Sequence, residues 1–186
     1  IVKGINVDDI KDAGDPVEQA NLYSKTGADE ICFLDISATH EERKTMFDVI
    51  SKTAESCFVP LTVGGGVNTL NNFRELLACG ADKVSVNSAA VYNPEIIKHS
   101  SDKFGNQCVV LAIDAIENKI MPSGYEVTTH GGRKKTNIDV LNWAKQGVEN
   151  GAGEILLTSM NTDGMKTGYN LNLTKLVSEN VTVPVI

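Results

Sequence analysis

The chain has 186 residues, 41% hydrophobic and 22% charged, a composition that supports one sizeable buried core and argues against disorder. No apolar run approaches the roughly 18 residues of a membrane span, and Ile1-Val2-Lys3-Gly4 lacks the regions of a secretory signal, so the cytoplasm is the expected compartment. A net charge of -7 argues against a nucleic-acid surface, and a small anionic ligand would need local help against that field.

Short apolar runs rich in β-branched residues alternate with longer stretches of helical periodicity, the pattern of βα units around a parallel sheet. In chain order the sequence predicts a helix over 16–26, a strand over 30–36, a helix over 41–56 and a strand over 61–63. A helix over 70–79, a strand over 83–87, a helix over 94–104 and a strand over 108–114 follow. The series ends with a helix over 138–150, a strand over 154–159, a helix over 172–180 and a strand over 183–186. Asp15-Pro16-Val17-Glu18 and Asn93-Pro94-Glu95 each offer an N-cap side chain, a proline at the first helical position and an acid in the first turn. Gly27, Gly80 and Gly151 stand where helices must stop, and 125–137 reads as a long mobile loop. The four cysteines, Cys32, Cys57, Cys79 and Cys108, lie far apart in apolar contexts and read as buried, reduced thiols. His40 and His99 read as solvated. No motif asks for a metal or a cofactor.

An internal repeat organises these units. Gly27-Ala28-Asp29-Glu30-Ile31 returns as Gly151-Ala152-Gly153-Glu154-Ile155, and Val59-Pro60 returns as Val183-Pro184, both at an offset of 124. A repeat of that length with four βα units implies eight units in about 250 residues, the size of a TIM-type barrel. The expected fold class is therefore α/β, of the (β/α)8 TIM-barrel family. Residues 1–186 form a single incomplete barrel domain on this reading, holding roughly its second to seventh strands.

Reactive groups in such barrels cluster at the carboxyl ends of the strands. Asp35 closes the first predicted strand, either to cap the next turn or to face substrate. Thr62-Val63-Gly64-Gly65-Gly66 runs from a strand into glycines, which either make a tight turn or expose N–H groups to an oxyanion. Asn87 and Ser88 add donors beside them and favour a phosphate site. Asp114 ends an apolar strand, where partial burial can raise a carboxyl toward the acid/base range; a capping or ion-paired aspartate is the alternative. The basic stretch His130-Gly131-Gly132-Arg133-Lys134-Lys135 either closes over an anion or is a solvated charge run. Thr158 and Asp163, the latter followed by Gly164, end a later strand as candidate substrate contacts. At the opposite ends of the strands, Glu30, Lys83 and Glu154 read on position alone as salt bridging at the lower rim.

Phe33-Leu34-Asp35-Ile36, Thr62-Val63-Gly64-Gly65-Gly66, Ala81-Asp82-Lys83-Val84-Ser85 and 151–159 together resemble the cyclase subunit of imidazole glycerol phosphate synthase. The likeness runs from Val2 to Ile186, and Thr129-His130-Gly131-Gly132-Arg133 and 163–169 are specific to that family. It implies an enzyme that turns a bis-phosphorylated ribulosyl formimino carboxamide ribotide and ammonia into imidazole glycerol phosphate and an aminoimidazole carboxamide ribotide. Ammonia would come from a glutaminase partner docked on the lower face. The resemblance makes Asp114 one of two catalytic aspartates, its partner lying upstream of Ile1, and makes Lys3 the lysine of a loop that approaches substrate. Gly65, Gly66, Asn87 and Ser88 would form one phosphate site, with Asp35 and Thr62 alongside and Thr158, Asp163 and Gly164 as further substrate contacts. Glu30, Lys83 and Glu154 would be three of four charges gating ammonia.

The sister isomerase of the pathway shares the barrel, but its loops read differently. A non-catalytic module that binds phosphate or self-associates is the reading from another class. Asn161, Asn137 and Ile116 depart from the family's usual aspartate, glycine and basic residue. With only one of two carboxylates present, the chain alone is expected to bind phosphate without turnover. Its two outer strands, 30–36 and 183–186, would present open edges through which copies associate.

Overall fold

The computed structural model describes residues 14–34 and 46–186 in full, and the backbone alone for 2–5, 8–12 and 40–45. Near the start, β1 (Val2–Ile5) and β2 (Asp8–Asp12) form an antiparallel ribbon that the sequence pattern did not announce. Then come α1 (Pro16–Lys25), β3 (Ile31–Leu34), α2 (His40–Ser56), β4 (Leu61–Gly64), α3 (Leu70–Ala78), β5 (Lys83–Val86), α4 (Ser88–Tyr92) and α5 (Glu95–Phe104). The chain continues through β6 (Val109–Glu117), β7 (Tyr125–Thr129), β8 (Lys134–Asp139), α6 (Val140–Glu149), β9 (Glu154–Ser159) and α7 (Leu171–Ser178).

Asp15 starts α1 as its sequence requires, its carboxylate accepting from the N–H groups of Val17 and Glu18 at 2.9 and 3.0 Å. The second expected cap is corrected: α5 begins after Pro94, and no side-chain cap bond forms there. Instead the backbone carbonyl of Asn93 accepts from Ile96 N–H.

β3, β4, β5 and β6 run parallel, and β9 pairs parallel with the far edge of β6. The strand foreseen over 183–186 is a single bridge, Val185 to Ile155; the Pro184 and Ile186 carbonyls accept from the N–H groups of Ile155 and Leu157, and Ile186 N–H donates to Ile155 O. The sheet does not close, because among the described residues no strand pairs with the other edge of β3. The stretch read as a mobile loop is instead the antiparallel hairpin β7–β8. β7 pairs with residues 114–117 of β6, taking over above Asp114 the edge that β5 holds at 109–111.

Strand alternation separates two faces. Ile31, Leu61, Val63, Val84, Val86, Val109, Leu111, Ile113 and Ile155 are buried on the outer face with Ile50, Phe73, Leu76, Ile97, Trp143 and Leu173 from the helices. Each such side chain contributes about 1.5–3 kcal/mol by leaving water, which holds the helices against the sheet. α6 lies close enough to β6 that a Cβ at Gly147 would overlap the Leu111 side chain. The inner face carries the polar side chains. Cys32 lies on it and is exposed, correcting the buried thiol expected there, because β3 ends the sheet. Cys57 is buried, while Cys79 and Cys108 are half-buried.

The 124-residue offset recurs in the backbone. Ile31 N–H donates to Pro60 O at 2.9 Å and Ile155 N–H to Pro184 O at 3.0 Å. Asp15 caps α1 and Asp139 caps α6, and Gly27 and Gly151 leave their helices with φ of 101° and 102°.

Candidate functional site

At the carboxyl end of the sheet, Asp114 points from β6 onto the inner face, level with Thr158 of β9 in the parallel register. It does not end its strand as expected. β6 runs on to Glu117, and Thr128 of β7 stands opposite Asp114, its hydroxyl donating to the Asp114 carbonyl at 3.1 Å. Burial raises the Asp114 carboxyl above its ordinary value; a hydrogen bond from the Asn87 side chain pulls the other way, and the charge of Asp163 adds to the rise. Asp114, Asn87, Thr158 and Asp163 are thus brought together by three separate strand ends.

Beside them β4 delivers its glycines. Gly65 and Gly66 have φ of 99° and 61°, a left-handed course that side chains other than glycine's resist. Asn87, at the end of β5, precedes α4, and Ser88 begins that helix. Gly164, with φ 71°, follows Asp163, whose N–H is held by Ser159 O at 2.9 Å. Thr62, expected with this group, belongs to the lower end instead. Asp35 and the side chain of Lys3 lie outside the described residues; the Lys3 backbone is in β1, opposite Lys11.

The lower end holds a compact ion cluster. Lys83 Nζ lies 2.9 Å from Glu30 Oε1 and 2.7 Å from Glu154 Oε2, and Thr62 Oγ1 donates to Glu30 at 2.7 Å. All three charged groups are partly covered, with side-chain exposures of 21%, 24% and 11% for Lys83, Glu30 and Glu154. Burial works to lower the Lys83 ammonium, but the bonds it donates to Glu154 and Glu30, with their charges, outweigh it and hold it above its usual range. Directly above, Cys32 has one side open to solvent. Desolvation by the surrounding wall, with the Glu30 and Glu154 charges, still pushes its thiol up to about 11.

Sequence reasoning missed what fixes the β7–β8 hairpin. Glu126 is completely buried and accepts from the Asn118 amide at 2.7 Å and the Asn137 N–H at 2.8 Å. Burial alone would raise its carboxyl, yet these bonds, Lys135 and the Thr136 N–H bring it below the ordinary value. The signal was present in Tyr125-Glu126-Val127-Thr128, whose alternation reads as a strand once the acid is allowed an inward position. The three departures from the family pattern have places in this local structure. Asn137 has φ 59°, which asparagine tolerates where glycine is usual. Asn161 Oδ1 accepts from Glu117 N–H at 3.0 Å and so ties the end of β6 to the loop after β9, while Ile116 of β6 pairs with Glu126 of β7.

Residues 1–186 match the family model described as histidine biosynthesis protein. The imidazole glycerol phosphate synthase subunit HisF of Trichormus variabilis is 56% identical over 188 residues, covering 100% of this chain and 73% of that protein. The HisF subunit of a Nostoc species is 55% identical over 188 residues, covering 100% of this chain and 72% of that one. With the parallel βα order and the polar groups gathered at the strand ends, these likenesses lead to one assignment: the chain belongs to the histidine biosynthesis protein family, a (β/α)8-barrel family, and within it to the HisF subunits of imidazole glycerol phosphate synthase.

Proposed function

We propose that this chain carries the cyclase chemistry of histidine biosynthesis, joining ammonia to the bis-phosphorylated ribulosyl formimino carboxamide ribotide and releasing imidazole glycerol phosphate and aminoimidazole carboxamide ribotide. The observation that carries the reading is Asp114, a half-buried carboxyl on the inner face of β6, level with Thr158 of β9 and raised above its ordinary value by burial. A carboxyl so placed can both take and return a proton, as ring closure and carbon–nitrogen cleavage require. Gly65, Gly66, Asn87 and Ser88 would hold one phosphate through backbone N–H, amide and hydroxyl donors, with Asp35 beside them. Thr158, Asp163 and Gly164 would line the other side, and Lys3 would approach from the first ribbon. Glu30, Lys83 and Glu154 would form the gate through which ammonia enters from below, since a closed ion cluster can pass a small neutral molecule only by parting.

The partner is a glutaminase subunit, as membership in a synthase implies, and we place its docking on the lower face. Among the described residues no helix is long and apolar enough to cross a membrane, and the cytoplasm is the compartment we propose. A second copy can pair along the β3 edge, where backbone groups of an apolar strand lack a neighbouring strand among the described residues. Light scattering at micromolar concentration should give at least twice the chain's 20.0 kDa; a monomer would contradict that pairing.

The sister isomerase is not favoured, because both relatives carry the synthase name. Chromatography of the products tests the choice. With ammonium as nitrogen donor, the enzyme at its relatives' full length should release imidazole glycerol phosphate and aminoimidazole carboxamide ribotide in equal amounts. An isomerised ribotide alone, or binding without products, would sink the proposal.

A further inference from the structure

The tip of the β7–β8 hairpin rests on α4. His130, with φ 56°, turns its N–H onto Ser88 Oγ at 3.3 Å. Neighbouring groups hold the tip there. Lys134 Nζ donates to the Tyr92 hydroxyl at 3.1 Å and lies 5.2 Å from the centre of its ring. The Tyr92 ring meets the His130 imidazole edge-on at 6.3 Å, and the Thr129 hydroxyl lies 3.0 Å from His130 Nδ1. On the far side Gly132 sits against Met160, at the end of β9, so closely that a Cβ would stand 2.6 Å from Met160 Cε. The tip is therefore seated between α4 and the end of β9.

A serine hydroxyl has one proton to give and two lone pairs to offer, and its proton rotates to suit its surroundings. An N–H resting on one lone pair leaves that proton to turn away from the hairpin. We infer that Tyr92 and Lys134 form a clamp that positions Ser88: by seating His130 N–H on Ser88 Oγ, they direct the hydroxyl proton toward a bound phosphate. Both act through Ser88, so both are positioning residues. The inference rests on the reading of Ser88 as a phosphate contact.

The test is a double-mutant cycle read by nuclear magnetic resonance titration with inorganic phosphate, following the amide signals of Gly65, Ser88 and His130. Tyr92→Leu keeps every charge and alters a side chain that is 58% exposed. It should weaken phosphate binding about threefold to tenfold, the worth of one ordinary hydrogen bond. In a Ser88→Ala background the same change should have no effect, because the group it orients is gone. A merely structural role would give equal weakening in both backgrounds, and that result, or no weakening in either, overturns the clamp while leaving the phosphate site standing. If Ser88→Ala binds phosphate as the parent does, or the parent shows no phosphate-dependent shifts, the phosphate site fails and the clamp fails with it. Tyr92→Phe, which removes only the hydroxyl, carries the same test should Tyr92→Leu not fold.

Discussion

Replacing Glu126 by alanine should cost about 2 kcal/mol of folding stability and loosen the β7–β8 hairpin, because it strands two part-buried donors. The Asn118 amide and the Asn137 N–H both end on this carboxylate, at 2.7 and 2.8 Å. Each buried donor left without a partner costs about 1–3 kcal/mol. The low end applies, since the hairpin is a thin layer and water can reach the vacated space. Glu126→Gln should cost less than the alanine change, as one carbonyl still accepts while the new amide opposes the second donor. Urea unfolding gives the totals, and amide hydrogen exchange at Val127 and Thr136 shows whether the loss is local to the hairpin. A change under 1 kcal/mol with unchanged exchange would mean that the network does not hold the hairpin. The consequence for function follows from position, because β7 lies directly against Asp114 through the Thr128 bond. A loosened hairpin should therefore also lower turnover.

The parallel units were legible because their signals are local. The apolar runs 61–63, 83–87 and 154–159 needed no distant partner to be read, and observed β9 spans Glu154–Ser159 as expected. Asp15 could be read as a cap from four consecutive residues. The hairpin was not legible, since Glu126 looks like a solvent-facing residue until its partners Asn118 and Asn137 are known. Asn93 failed as a cap because Pro94 itself takes the cap position with a helical φ of -59°. At the site, the convergence of Asp114, Asn87 and Asp163 follows from strand register, which periodicity does not fix. Sequence placed Asp114 at a strand end, and only pairing with β7 revealed that the strand passes through it. Thr62 was read with the glycines that follow it, yet alternation along β4 and its bond to Glu30 tie it to the lower cluster.

In the enzyme at its relatives' full length, Asp114→Asn should lower ammonia-dependent cyclisation by ~10²–10⁴-fold, the usual worth of a positioned proton donor and acceptor. The fold should not suffer. A carboxyl whose folded value is raised adds stability at low pH, where it is protonated in both states, relative to neutral pH; that contribution is lost as pH rises through the raised value. Away from low pH the half-buried Asp114 carboxyl is therefore a burden on folding, which a neutral amide of the same shape removes. Stability at pH 7 should be equal to or greater than the parent's, and binding of the phosphorylated substrate should be unchanged. This combination separates chemistry from structure, since a damaged fold would lower all three together. The decisive measurement is the single-turnover rate of the full-length Asp114→Asn enzyme with saturating ribotide and ammonium. The account predicts a loss of at least about a hundredfold with substrate affinity intact, and a rate within about tenfold of the parent would contradict it.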